Sequence, residues 1–139
     1  PEQAAAMITA VDTSVLIAIT KAEPGAHEWT DLLARAQADG DLLACDVVAA
    51  ELSALLMDRA KFERTFIGLG ITFSPTSLES AQLAANIFRQ YRRLGGPREH
   101  LVPDFLIGAH AQRQADRIAA IDRGYLRRYF PRLKVLKPR

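Results

Sequence analysis

Ile8-Thr9-Ala10-Val11-Asp12-Thr13-Ser14-Val15-Leu16-Ile17 decides how the chain is read. The stretch runs apolar to a single carboxylate, passes through two hydroxyls, and turns apolar again. That pattern predicts a buried strand ending at Asp12 and a short helix from Ser14 to about Ile19. A strand apolar on both faces belongs in a parallel sheet covered on both sides. Ligands of such sheets collect at the carboxyl ends of the strands, where Asp12 would stand. Asp12 equally suits a helix cap, because its side-chain oxygen can accept the orphan N–H groups of the helix that follows. Both readings stay open on this stretch alone.

Working outward, strand and helix signals alternate. Residues 26–38 read as a helix with Trp29, Leu32, Leu33 and Ala36 on one side, stopped by Gly40. Leu42–Cys45 reads as a second buried strand. Asp46 looks like an N-cap for a helix from Val47 to about Met57, with Val48, Leu52, Leu55 and Leu56 on its apolar face and Glu51 among them. Residues 59–68 form a further helix in which Phe62 and Phe66, four apart, share a face. That face suits the core, a dimer or another protein partner. Ile71–Phe73 is a third strand. Thr76 and Glu79 fit a capping box before a long helix reaching about Leu94, with Leu78, Ala81, Ala85, Phe88 and Tyr91 as its stripe. Gly95-Gly96-Pro97 breaks it, and Arg98–His100 continue as loop. Pro103 and Asp104 suit the first turn of the next helix, whose Gly108, Ala109 and Ala111 permit close packing. His110 reads as a residue of that helix packed near the sheet. Arg117–Ile121 is a fourth strand with Asp122 directly after it, Tyr125–Phe130 a short helix, and Leu133–Leu136 a last edge strand. This alternation predicts an α/β fold with a mainly parallel sheet.

Composition narrows the class. The 139 residues suffice for one domain with a real core. Residues 7–139 are expected to form that domain, and residues 1–6 read as a disordered or vector-derived start before Met7. No apolar run approaches the roughly 20 residues of a membrane span. Cys45 is the only cysteine, so no disulfide framework exists and a reducing, cytoplasmic setting is expected. Its apolar surroundings mark Cys45 as a small core residue. The net charge of +2 hides an asymmetry. Residues 1–86 carry five Lys/Arg and twelve Asp/Glu, a balance of −7, whereas residues 87–139 carry thirteen and four, a balance of +9. A basic half suggests an anionic partner such as a nucleic-acid backbone.

Four carboxylates occupy one kind of place. Asp12 and Asp122 each follow a buried strand, Glu51 lies early in the helix after the second strand, and Asp104 opens the helix before the fourth. In a parallel sheet these positions share one edge. Like charges gathered in a partly dry cleft repel, and a divalent cation relieves that repulsion. Mg²⁺ and Mn²⁺ prefer oxygen ligands, and the chain offers no His/Cys cluster with zinc spacing. A carboxylate–metal cleft suits phosphodiester hydrolysis.

Val-Asp-Thr-Ser-Val-Leu at 11–16, Ala-Ala-Glu-Leu at 49–52, Val-Pro-Asp-Phe-Leu-Ile-Gly-Ala-His-Ala at 102–111 and Ile-Asp-Arg-Gly-Tyr at 121–125 resemble, in that order, the PIN-domain ribonucleases. More narrowly the chain looks like the VapC toxins of type II toxin–antitoxin pairs, over nearly its whole length from Met7 to about Lys137. The resemblance implies a three-layer α/β/α sandwich with a central parallel sheet of four or five strands. It implies Mg²⁺- or Mn²⁺-dependent endoribonuclease activity on structured RNA such as tRNA or rRNA, homodimerisation, and inhibition by a cognate antitoxin. Carried over by position, Asp12, Glu51, Asp104 and Asp122 are the catalytic, metal-binding set. Asp12 and Asp104 would be central, with Glu51 and Asp122 ligating directly or through water, and Thr13 or Ser14 hydrogen-bonding nearby. One position departs from the pattern. The family often carries Ser or Thr two residues before its last acid, and here that residue is Ala120. Arg89, Arg92, Arg93, Arg127 and Arg128 are the candidate RNA contacts, each equally suited to be a plain surface charge or an antitoxin contact.

Two other readings compete. A phosphatase or phosphotransfer domain would use Asp12 as nucleophile, but such sites want a lysine reaching the phosphate, and the chain has lysines only at 21, 61, 134 and 137. A non-catalytic RNA-binding or interaction module could share the fold, though four acids at one sheet edge speak against it.

Overall fold

Thr9–Val11 (β1) is fully buried because every one of its side chains meets a neighbouring element. The computed structural model describes residues 5–96, 102–122 and 124–139. Residues 1–4 and the loop expected over 98–100 lie outside that range. After β1 the elements run α1 (Thr13–Thr20), α2 (Ala26–Asp39), β2 (Leu42–Ala44), α3 (Asp46–Leu56), α4 (Arg59–Leu69), β3 (Ile71–Phe73), α5 (Leu78–Arg93), α6 (Val102–Gln114), β4 (Arg117–Ala119), α7 (Tyr125–Tyr129) and β5 (Lys134–Leu136). No described helix is long and apolar enough to cross a membrane.

The five strands form one sheet in the order β3-β2-β1-β4-β5. Every pairing is parallel. Thr9 stands opposite Leu42 on one side and Arg117 on the other. Parallel strands need crossover connections, and the helices supply them, giving a three-layer α/β/α arrangement. The core is built from β1, β2 and β4 with Val15, Leu16, Leu52, Phe105 and Phe130 packed around them, all fully buried. Burying each such side chain contributes about 1.5–3 kcal/mol. Gly108 on α6 is required by this packing: a Cβ there would stand 2.5 Å from the Phe130 ring.

The direction of the strands positions the site. Because all five run the same way, the residues after β1, β2 and β4 emerge on one edge. The N–H of Asp12 donates to the Ala119 carbonyl at 3.0 Å, which fixes the end of β1 beside the end of β4.

Several local expectations change. Asp12 caps α1, accepting the Ser14 N–H at 3.2 Å, so β1 ends one residue earlier than expected. Asp46 is the first residue of α3 rather than its cap. Its carboxylate accepts instead from the N–H and hydroxyl of Thr76, at 2.8 and 2.6 Å. That capture removes Thr76 from the capping box, and Ser77 caps α5 by accepting the Ser80 N–H. The buried stripe of α5 is accordingly Ser80, Ala84, Ile87 and Tyr91, and Leu78 is 71% exposed. On α3 only Val48 and Leu52 are buried, and Leu55 faces solvent.

Candidate active site

Asp12 stands at the β1–α1 junction, where its N–H extends the ladder to the Ala119 carbonyl and its carboxylate caps α1. Around it lies a cavity of about 350 Å³. The β1–α1 junction supplies Asp12, Thr13, Ser14 and Ile17, α3 supplies Glu51, and α6 supplies Asp104 and Ile107. Ile121 and Asp122 enter from the end of β4, and Tyr125 and Leu126 from α7. All four carboxylates singled out in the sequence therefore line one cavity, together with both hydroxyls. No Lys, Arg or His lines it among the described residues.

Hydrogen bonds explain the poses of Asp12, Glu51 and Asp122. The Ser14 hydroxyl donates to Asp12 Oδ2 and accepts the N–H of Ile121 at 3.1 Å. One side chain thus ties α1 to the end of β4. The Thr13 hydroxyl donates to Glu51 Oε1 at 2.6 Å, tying α1 to α3. Asp122 accepts three backbone N–H groups of the following turn, from Gly124 and Leu126 on Oδ1 and from Arg127 on Oδ2. Asp122 is therefore the anchor of α7 as well as a wall of the cavity.

Burial pushes the Asp12 carboxyl above its ordinary pKa of 3.8, and the negative charge of Asp122 adds to the rise. The hydrogen bonds from Ser14 and the Thr13 backbone oppose it without cancelling it. A carboxyl raised by burial beside a second acid is a common mark of a functional site.

The donor set suits a hard divalent cation: it is all oxygen, strongly negative and free of sulfur and imidazole. Among the described residues no three acidic, His or Cys side chains already close around one point as a ready-made metal site. Their own hydrogen bonds hold Glu51 and Asp122 toward Thr13 and α7.

Ala120 is buried and opens onto a neighbouring cavity, not onto the acidic one. His110 is 1% exposed and bonds the Ser74 hydroxyl at 3.0 Å, away from the acidic cavity. Cys45 is buried. Arg89, Arg92 and Arg93 lie exposed on α5, and Arg127 and Arg128 on α7. Arg92 donates to the Gly96 carbonyl at 2.8 Å, and Arg128 lies 5.5 Å over the Tyr129 ring. Tyr91 of α5 meets Tyr129 edge-on at 5.7 Å, so an aromatic contact joins the two basic segments. Sequence reasoning missed Tyr125 as a cavity wall. The signal was available: it lies three residues beyond Asp122 and opens α7, the helix whose first turn Asp122 anchors.

An open parallel sheet with an acidic pocket at its carboxyl edge defines a small class of α/β proteins, and the sequence selects among them. A family model for the PIN domain matches residues 9–131, and the chain belongs to the PIN-domain family. The fold is similar to that of VapBC2 from Rickettsia felis bound to a promoter DNA fragment (TM-score 0.68, 19% identity, covering 96% of this chain and 100% of that one). It is also similar to FitAcB from Neisseria gonorrhoeae (TM-score 0.61, 23% identity, 94% and 97% covered). A third similar structure is VapC20 of Mycobacterium tuberculosis, a toxin that cleaves the sarcin–ricin loop (TM-score 0.60, 16% identity, 82% and 89% covered). Comparison with curated proteins gives no match.

Proposed function

We propose that this protein is the toxin of a VapBC-type toxin–antitoxin pair and acts in the cytoplasm as a Mg²⁺- or Mn²⁺-dependent endoribonuclease on structured RNA, tRNA or rRNA. The observation that carries the reading is the convergence of Asp12, Glu51, Asp104 and Asp122 on one cavity, lined among the described residues by no cationic side chain. PIN-family membership and the fold shared with VapBC complexes support it.

Asp12 and Asp104 are the residues that would hold the cation, with Glu51 and Asp122 completing its surroundings directly or through water. A cation bound there supplies Lewis-acid polarisation of a phosphate and acidifies a water. The protein's own part is orientation. Ser14 fixes Asp12, and Thr13 engages Glu51 Oε1, leaving Oε2 to accept a proton from the attacking water. Ile17, Ile107 and Leu126 give the cavity an apolar side that limits bulk water and strengthens the electrostatics within. Tyr125, the first residue of the basic helix α7, forms part of the cavity wall.

An antitoxin and a second copy of the chain are the proposed protein partners. Met57 and Ile67, 89% and 78% exposed, are large apolar residues of the kind found at such surfaces.

The test is incubation of the purified protein with a panel of tRNAs and rRNA fragments, with Mg²⁺, with Mn²⁺ and with EDTA. Discrete cuts that need the metal are expected. Metal-independent degradation, or intact RNA throughout, contradicts the reading.

A further inference from the structure

Beyond Asp122 lies a second cavity, of about 500 Å³. Asp122 lines both it and the acidic cavity. The two differ in chemistry. Among the described residues no cation lines the acidic one, whereas Arg127 and Lys137 both line its neighbour. These cations come from different elements, Arg127 from α7 and Lys137 from the residue after β5. The floor is apolar: Ala120, Phe130 and Leu133 are buried there and Val135 is half-buried.

The partition between the cavities is fixed rather than adaptable. Both oxygens of Asp122 are engaged by backbone N–H groups, one of them Arg127's own at 3.1 Å. The backbone that carries a cation of the second cavity is thus hydrogen-bonded to a carboxylate of the first. Ala120 matters here for what it lacks. A hydroxyl-bearing residue would make this floor smaller and polar, while a methyl leaves room and an apolar face.

A substrate phosphate faces a strongly negative cleft, so the chain on either side of it must be held by other groups. Phosphate is bound by exposed cations, and an unpaired base is bound by apolar surface. We propose that the second cavity is a nucleotide subsite, in which Arg127 and Lys137 take a phosphate, the Ala120–Phe130–Val135 floor takes its base, and the occupant is the RNA nucleotide adjoining the scissile phosphate; its place beside a scissile phosphate rests on the nuclease reading above. The occupant must lie outside a duplex at that position, because a base within a duplex is stacked on both faces and has none free for the floor.

The experiment compares the wild-type protein with R127Q, K137Q and the double variant, using K61Q on the distant helix α4 as a charge control. Adenosine 5′-monophosphate is titrated in EDTA and followed by amide chemical shifts. RNA cleavage is then measured with Mg²⁺ over a range of salt. Shifts at Leu133, Val135 and Lys137 that vanish in the double variant are expected. KM is expected to rise about tenfold with kcat within about twofold, and the slope of log affinity against log salt to fall by about 0.7 for each cation removed. K61Q should change none of these. Wild-type cleavage without nucleotide shifts at those amides, or an unchanged KM in the double variant, overturns the subsite while leaving the nuclease reading intact. Nucleotide shifts in a protein that cuts no RNA overturn the nuclease reading, and with it the subsite's place beside a scissile phosphate.

Discussion

The Thr13 hydroxyl donates to Glu51 Oε1 across 2.6 Å. Thr13 is buried and Glu51 is exposed, so the bond fixes a mobile side chain from its rigid end. Thr13→Ala releases Glu51 into solvent. Cleavage should fall about tenfold while stability drops by only about 1 kcal/mol, the net worth of one hydrogen bond. Thr13→Ser should keep most of both, because the hydroxyl is what matters. An Ala variant as active as wild type would show that Glu51 needs no orientation.

Asp12 is costly to the fold. A carboxyl raised by burial binds its proton more readily folded than unfolded, so ionising it costs stability. The cost is full above its raised folded pKa and disappears below 3.8, the ordinary value. Asp12→Asn removes the charge and can still accept from Ser14. Its melting temperature at pH 7 should rise by a few degrees, and the gain should shrink as pH falls toward 3.8. Stability bought at the expense of activity is the usual signature of a functional carboxylate. A lower Tm would mean that Asp12 is mainly structural.

Asp122 should behave in the opposite way. It holds three N–H groups of the α7 turn, so Asp122→Ala should lose about 1–2 kcal/mol, the range for a lost helix cap. Asp122→Asn keeps part of the anchor and should lose less cleavage than Asp12→Asn does. Thermal melts and initial rates on the same two variants check both statements. Equal losses of activity would make Asp122 as central as Asp12.

The sheet and its acidic edge were legible in the sequence because each depends on local chemistry. Apolar runs ending in a carboxylate at Asp12 and Asp122, with small residues at 108–111, mark parallel strands and a close-packed helix without knowledge of neighbours. What failed depended on distant partners. Thr76 looked like a cap until Asp46, thirty residues away, captured its N–H and hydroxyl. Ser80 lay outside the stripe read for α5, yet it is buried, its hydroxyl donating to Gln114 of α6 at 2.8 Å. The second cavity was invisible for the same reason: Arg127 and Lys137 are brought together only by the pairing of β4 with β5.

His110 predicts a pH dependence that does not involve the acidic cavity. Burial lowers its pKa below 6.5, although the Asp46 charge works the other way. The unfolded chain therefore takes up a proton first as pH falls. Stability should be full above pH 6.5 and decline as pH drops toward the lower folded value. His110→Gln, which can still meet the Ser74 hydroxyl, should flatten that decline. Denaturant unfolding across this range reads it directly, and an unchanged slope would assign the decline to other groups.

The most direct test of the central claim is RNA cleavage by Asp12→Asn and Asp104→Asn beside the wild type, with Mn²⁺ binding measured on the same three samples. Wild-type cleavage that requires metal, with both variants folded, cutting at least a hundredfold more slowly and binding Mn²⁺ more weakly, is the predicted result. Undiminished cleavage by either folded variant would contradict the assignment of the chemistry to this acidic cavity.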